Sequence, residues 1–155
     1  MKSLVLYESK YGNTQKVAET IAQTLGGEIS CVSDFKPAML ADLDLLVVGS
    51  PIHGWQPSAD TAQFLTHLDS AVLKGKYVAT FDTGFKSFLS GNAASRIMKK
   101  LERAGGKQLI PTQKFVVEKA EGPLAPGEID KAKAWADNLK AEYEFNVHTA
   151  GQFIG

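Results

Sequence analysis

The stretch Leu4-Val-Leu-Tyr-Glu-Ser-Lys-Tyr-Gly-Asn-Thr-Gln15 decides the fold of this chain. Leu4 to Tyr7 is a short apolar run that reads as a strand. Ser9, Lys10, Tyr11 and Gly12 form a polar turn. Val17, Ala18, Ile21, Ala22 and Leu25 then recur at helical spacing, so a helix is expected from about Asn13 to Leu25. A strand, a small loop and a helix start within a dozen residues aim unpaired backbone N–H groups and the positive end of a helix at one spot. That is an anion site in the making. Ser9 and Thr14 add hydroxyls, Asn13 an amide and Lys10 a charge, and a phosphate monoester is the natural guest. The alternative is an ordinary strand-to-helix loop with Asn13 or Thr14 as the N-cap.

Working outward, Gly26-Gly27 supplies a left-handed exit that ends the first helix. Glu28 to Ser33 alternates apolar and polar, with Ile29, Cys31 and Val32 expected inside, and reads as an edge strand. Asp34 to Ala41 is a connection containing Pro37, with room for one helical turn. Leu43 to Gly49 is nearly all apolar, as a central parallel strand covered on both faces requires. Ser50-Pro-Ile-His-Gly-Trp-Gln-Pro57 follows as a second loop. Ser58 is the expected N-cap of a helix whose inner face is Ala62, Phe64, Leu65 and Leu68. Tyr77 to Phe81 reads as the next strand, and Asp82 to Asn92 as a third polar loop. The helix Ala93 to Ala104 buries Ile97, Met98 and Leu101. Lys107 to Glu118 is a last strand broken at Pro111, so part of it belongs at an edge. Glu121 to Gly127 is a loop, and Glu128 to Glu142 is a helix with Ile129, Ala132, Trp135, Ala136 and Leu139 inside. Tyr143 to Gly155 has no clear period.

Strand and helix thus alternate about five times, which implies one domain built on a parallel sheet with right-handed crossovers. Ligands of such sheets sit beyond the carboxyl ends of the strands. The three unusual loops all follow strands and precede helices, so they share that edge.

Composition narrows the function. The 155 residues fit a single domain over 1–155, with 44% hydrophobic and 22% charged residues. The 17 basic and 17 acidic residues cancel, which gives no support to nucleic-acid binding. No window is apolar enough to span a membrane. Met1-Lys2-Ser3 leads straight into a strand, so no signal peptide is expected. The single Cys31 cannot form an internal disulfide and is read as a small core residue, in a cytoplasmic protein. There is no G-x-G-x-x-G after the first strand and no G-x-x-x-x-G-K-[ST]. Pro37 stands where a Cys-x5-Arg phosphatase needs its Arg. Glu8 lacks the second acid of a phosphorelay receiver. His53, His67 and His148 have no metal-ligand spacing.

Ser9-Lys-Tyr-Gly-Asn-Thr14 resembles the phosphate loop of flavodoxins, whose pattern is [ST]-x-[TS]-G-N-T. Gly49-Ser-Pro-Ile-His-Gly54 looks like that family's second flavin loop, and Asp82-Thr-Gly84 stands where its third would be. The element order matches throughout. The resemblance implies an α/β three-layer fold with a five-stranded parallel sheet in the order 2-1-3-4-5, in the short-chain form. It implies FMN as cofactor and low-potential one-electron transfer between partner proteins, a reductase and an acceptor, by a monomer or weak dimer. It places cofactor contacts in three groups: Ser9, Lys10, Tyr11, Gly12, Asn13 and Thr14; Ser50, Pro51, Ile52, His53, Gly54 and Trp55; and Asp82, Thr83, Gly84, Phe85 and Gly91. No catalytic residue and no metal are expected. Trp55 is the first candidate to stack on the flat apolar flavin ring, with His53 or Phe85 next. Gly54 is the position whose peptide could flip when the ring takes up a proton, because Gly accepts φ > 0. An FMN-dependent oxidoreductase with a nicotinamide donor and a quinone-like acceptor is the alternative, and a module without flavin a third reading. Tyr11 departs from the family's Thr or Ser, and the neutral charge departs from the acidity usual in its carriers.

Overall fold

The computed structural model describes residues 1–53, 56–86 and 92–154. In chain order the elements are β1 (Ser3–Tyr7), α1 (Asn13–Leu25), β2 (Glu28–Cys31), two 3-10 turns (Val32–Asp34 and Pro37–Leu40), β3 (Leu45–His53), β4 (Gln56–Pro57), α2 (Ala59–Thr66), β5 (Tyr77–Gly84), α3 (Ala93–Arg103), β6 (Lys107–Gln108), β7 (Gln113–Val116) and α4 (Glu128–Ile154). The sheet runs β2-β1-β3-β5-β6, with β7 also on β5 and the two-residue β4 folded back on β3. β6 and β7 are the halves of one strand split around Pro111, so the principal strands take the order 2-1-3-4-5. All principal pairings are parallel.

Period-two alternation explains the two layers of helix. Val5, Leu45, Val47, Ala79 and Phe81 point to one face, where α1 and α4 cover them with Val17, Ile21, Trp135 and Leu139. Leu4, Leu6, Leu46, Val48 and Val78 point to the other, under Phe64 and Leu65 of α2 and Ile97, Met98 and Leu101 of α3. A Cβ on Gly49 would run into the ring of Phe81, which packs edge-on against Phe115 and Trp135. Gly49 is therefore fixed by packing in the central strand. Among the described residues no helix is long and apolar enough to cross a membrane.

Five details differ from the sequence reading. β2 stops at Cys31, and Ile29 stays 39% exposed because an edge strand has a neighbour on one side only. Cys31 is half-buried rather than a core residue. The second and third loops are shorter than expected, since Ser50 and Pro51 continue β3 and Asp82 to Gly84 continue β5, pairing with one another. In α2 the buried polar Thr61 takes the inner place expected of Ala62, which is exposed. α4 runs on to Ile154. Nothing between Tyr143 and Ala150 is a Gly or Pro that would stop it, and its period fades because these turns leave Phe145 and Val147 exposed.

Candidate functional site

The loops after β1, β3 and β5 meet at the carboxyl edge of the sheet, around a cleft of about 660 Å³. That size lies inside the range of about 300–1,000 Å³ usual for cofactor sites.

The first loop is held open by its own backbone. The Glu8 amide donates to Gly49 O at 3.1 Å, which extends the β1–β3 ladder into the loop. Gly12 N–H donates to Ser9 Oγ at 3.0 Å and curls the turn. Gly12 itself takes φ +92°, a conformation costly for any residue with a Cβ. It stands at the N-cap of α1, which starts at Asn13 as expected; the alternative, Asn13 or Thr14 as the cap, is not what forms. Among the described residues no side chain caps α1, and its first turn holds no acid. The first amides of the helix thus keep their positive end for the cleft. Lys10 and Tyr11 stand at the rim, with Lys10 Nζ 5.2 Å from the centre of the Tyr11 ring. Thr14 is buried, and its Oγ1 is 2.8 Å from Thr83 Oγ1, so one hydroxyl pair ties the first loop to the third.

The third loop brings Thr83, Gly84 and Phe85 to the cleft. A Cβ on Gly84 would approach Ile52 Cδ1 to 2.7 Å, so the glycine lets Ile52 lie flat on the backbone. Phe85 is 46% exposed at the mouth. Asp82 turns away from the cleft. It is 1% exposed, and its Oδ2 accepts from Ala94 N at 2.9 Å at the start of α3. Its Oδ1 lies 3.7 Å from Lys114 Nζ. Burial pushes the Asp82 carboxyl above its ordinary range, against the pull of the Ala94 amide and the Lys114 ammonium.

In the second loop Pro51 and Ile52 line the cleft. Ser50 is fully buried and occupied by backbone: its Oγ donates to Pro51 O at 2.9 Å and accepts from Ser58 N at 3.1 Å. His53 closes β3 opposite Gln56. Gly54, Trp55 and Gly91 lie outside the described residues, and so do the stacking and peptide-flip expectations for Trp55 and Gly54.

Three contributions to this site escaped the sequence. Glu8 Oε1 accepts from both Thr61 N and Thr61 Oγ1 at 2.8 Å, and so caps α2 from the far side of the cleft. Its partner is 53 residues away, and no local pattern announces it. The N-terminal end of α2 adds Ser58, Ala59 and Asp60 to the lining. Val117 and Ala120 form a further wall. They follow the last strand, where Val117 N donates to Gly84 O at 3.0 Å, and the rule that sites gather at strand ends could have pointed to them.

The cleft therefore has two characters. Ser9, Lys10, Asn13, Thr14 and the open end of α1 make one end polar, with Glu8 committed to Thr61. Pro51, Ile52, Phe85, Val117 and Ala120 make the other apolar. A guest that joins a phosphate to a flat apolar ring fits that division, and FMN is such a guest.

A family model described as a flavodoxin domain matches residues 4–119. The chain is 26% identical to a flavodoxin of Nostoc sp. (strain PCC 7120), over 90% of its own length and 95% of that protein. Among solved structures, a flavodoxin from the domain Archaea superposes with a TM-score of 0.79 at 21% identity, covering 93% of this chain and 99% of that one. Rubredoxin oxygen:oxidoreductase from Desulfovibrio gigas superposes at 0.73 and 19% identity, over 91% of this chain but 36% of the larger one. At these identities the structural matches establish the fold.

Proposed function

This chain belongs to the flavodoxin family, and on that premise we propose that it binds FMN in the cleft and carries single electrons between a reductase and an acceptor protein. Proteins of this family bind flavin, and the one-electron chemistry is supplied by the flavin when bound. The observation that carries the reading is the uncapped N-terminus of α1 at the polar end of a cleft whose other end is apolar. The α1 amides, the Ser9 and Thr14 hydroxyls and the Lys10 ammonium would hold the phosphate. Charge-assisted bonds of this kind are worth about 1.5–3 kcal/mol each. Ile52, Phe85 and Trp55 would border the ring and exclude water from it. The backbones of Thr83 and Gly84 would serve its polar edge. The same reading makes the protein cytoplasmic, working as a monomer or weak dimer.

The test is optical and direct. The purified protein should be yellow, and apoprotein should quench FMN emission on titration more strongly than riboflavin emission. Trp55→Ala should restore part of that emission. The isolated protein should oxidise NADH or NADPH only slowly with a quinone present. Fast nicotinamide turnover would replace the carrier reading by the oxidoreductase one, and a colourless protein that ignores FMN would sink both.

A further inference from the structure

The zero net charge hides a segregated one. Residues 71–115 hold nine basic residues against two acidic, a net of +7. Residues 1–70 hold four against eight, and 116–155 four against seven, so the rest of the chain is −7. The basic segment folds as β5, α3, β6 and β7, on one side of the sheet. Of its two acids, Asp82 is buried beneath α3, which leaves Glu102 as the exposed one.

The charge is concentrated on α3. Arg96, Lys99, Lys100 and Arg103 recur at i, i+3, i+4 and i+7 and are all exposed, while Ile97, Met98 and Leu101 are buried against the sheet. With Asn92 and Ser95 the four cations line a shallow groove of about 440 Å³. Among the described residues none of the four has an ion-pair partner. The segment 87–91 leading into the helix, Ser-Phe-Leu-Ser-Gly, carries no charge. Like charges at i, i+4 destabilise a helix by about 0.2–0.5 kcal/mol per pair. The negative end of the helix relieves this at Lys100 and Arg103 but not at Arg96. The groove also begins beside the cleft. Asn92 opens α3, the Ala94 amide is held by Asp82, and Thr83 to Phe85 next to Asp82 line the cleft.

We propose that the exposed face of α3 is a docking surface for an acidic redox partner protein, whose carboxylates would seat on Arg96, Lys99, Lys100 and Arg103. The partner's redox character rests on the carrier reading above. Its acidity rests on the charges alone. The stripe is on the order of 10 Å long at 1.5 Å per helical residue. A compact acidic patch matches that length. An extended polyanion would run past it onto the negative remainder of the molecule, which disfavours nucleic acid and lipid surfaces.

The experiment uses the flavin-loaded chain and an acidic [2Fe–2S] ferredoxin as the probe, with binding measured at low salt and at about 200 mM. Binding should be detectable at low salt and weaken at least fivefold as the Debye length shortens. Lys99→Glu/Arg103→Glu should bind at least tenfold more weakly at low salt, measured at a temperature where both proteins are folded. Lys36→Glu/Lys133→Glu, the same change in net charge elsewhere, should bind as the wild type does. The proposal is overturned if ferredoxin does not bind at low salt or if the α3 variant binds it normally. It is equally overturned if duplex DNA or phosphatidylserine vesicles outcompete ferredoxin for the wild type. Titration of the same samples with FMN reports on the carrier reading separately: a chain that refuses FMN but binds ferredoxin through α3 loses the first proposal and keeps the acidic-partner surface.

Discussion

Three helices, α1, α2 and α3, follow the three loops that build the cleft, and two of them begin differently from the third. α2 receives the Glu8 carboxylate on its Thr61 amide. α3 receives the Asp82 carboxylate on Ala94 and the Asn92 side chain on Ser95. Among the described residues no side chain caps α1, and a glycine at φ +92° stands at its N-cap. A side-chain cap is worth about 0.5–2 kcal/mol, so α1 gives up stability that its neighbours keep. Both α1 and α2 present their first residues to the cleft, but a carboxylate of the fold closes only the end of α2 and leaves that of α1 open. A phosphate there would do for α1 what Glu8 and Asp82 do for α2 and α3.

The comparison breaks most visibly at α3. Asp82→Ala removes an internal cap and the ion pair that Asp82 makes with Lys114. It should lower stability by about 2 kcal/mol, or roughly 4–8 °C in melting temperature, in protein with or without flavin. Because Lys114 keeps access to water, the loss stays below that of a fully buried pair. An unchanged melting temperature would mean that the cap contributes nothing and that the contrast with α1 is only geometric.

Thr14→Ala should come next, and it sharpens the contrast from the other side. On the proposed site it weakens FMN by roughly tenfold to a hundredfold, the worth of one charge-assisted hydrogen bond, and leaves riboflavin nearly unaffected. Thr14 also pairs with Thr83, so Thr83→Ala is the necessary companion. If both variants weaken both flavins alike, the hydroxyl pair only fastens two loops and the phosphate sits elsewhere.

A smaller change gives α1 the acid that its neighbours have. Gln15→Glu places a carboxylate in the first turn of α1, close to the positive end of the helix. Attraction to the helix end and repulsion from Glu19, now reached by Gln15 at 2.9 Å, should nearly cancel in the free protein. FMN affinity should fall about fivefold at low salt and recover part of this at high salt. Equal affinity for FMN in wild type and variant would show that the end of α1 is not the anion site.

The parts of this design that were legible in the sequence are those with short-range signals. Gly26, the apolar face from Val17 to Leu25, and the run Leu43 to Gly49 announce α1 and the central strand. The strand–loop–helix order put Ser9 to Thr14, Pro51 to Ile52 and Thr83 to Phe85 on one edge. The caps were not legible. Glu8 looked like an acid without a partner, since Thr61 lies 53 residues on, and Asp82 looked like a cleft residue although it points into α3. Val117 and Ala120 carry no chemistry that marks them as a cleft wall. The extension of α4 was obscured because its last turns leave the sheet, and with it the apolar period.

The smallest expected effect concerns acidity, and it separates the two kinds of helix end again. The Asp82 carboxyl is held above its ordinary range by burial, with the Ala94 amide and Lys114 opposing. In the window between its ordinary value and its raised one, the folded chain binds more protons than the unfolded chain, so stability falls as pH rises through that window. Above both values the burial cost is constant. Asp82→Asn keeps an oxygen for Ala94 and removes the titration. Denaturant melts of wild type and variant from about pH 4 upward should show the wild type losing stability relative to the variant as pH rises, by a difference that levels off once pH passes the raised value. FMN affinity measured over the same range should not follow that curve, because Asp82 serves α3 and not the cleft. A wild type that gains stability relative to the variant with rising pH would mean that Lys114 and the α3 amides outweigh burial. The internal cap would then be a favourable charge rather than a tolerated one.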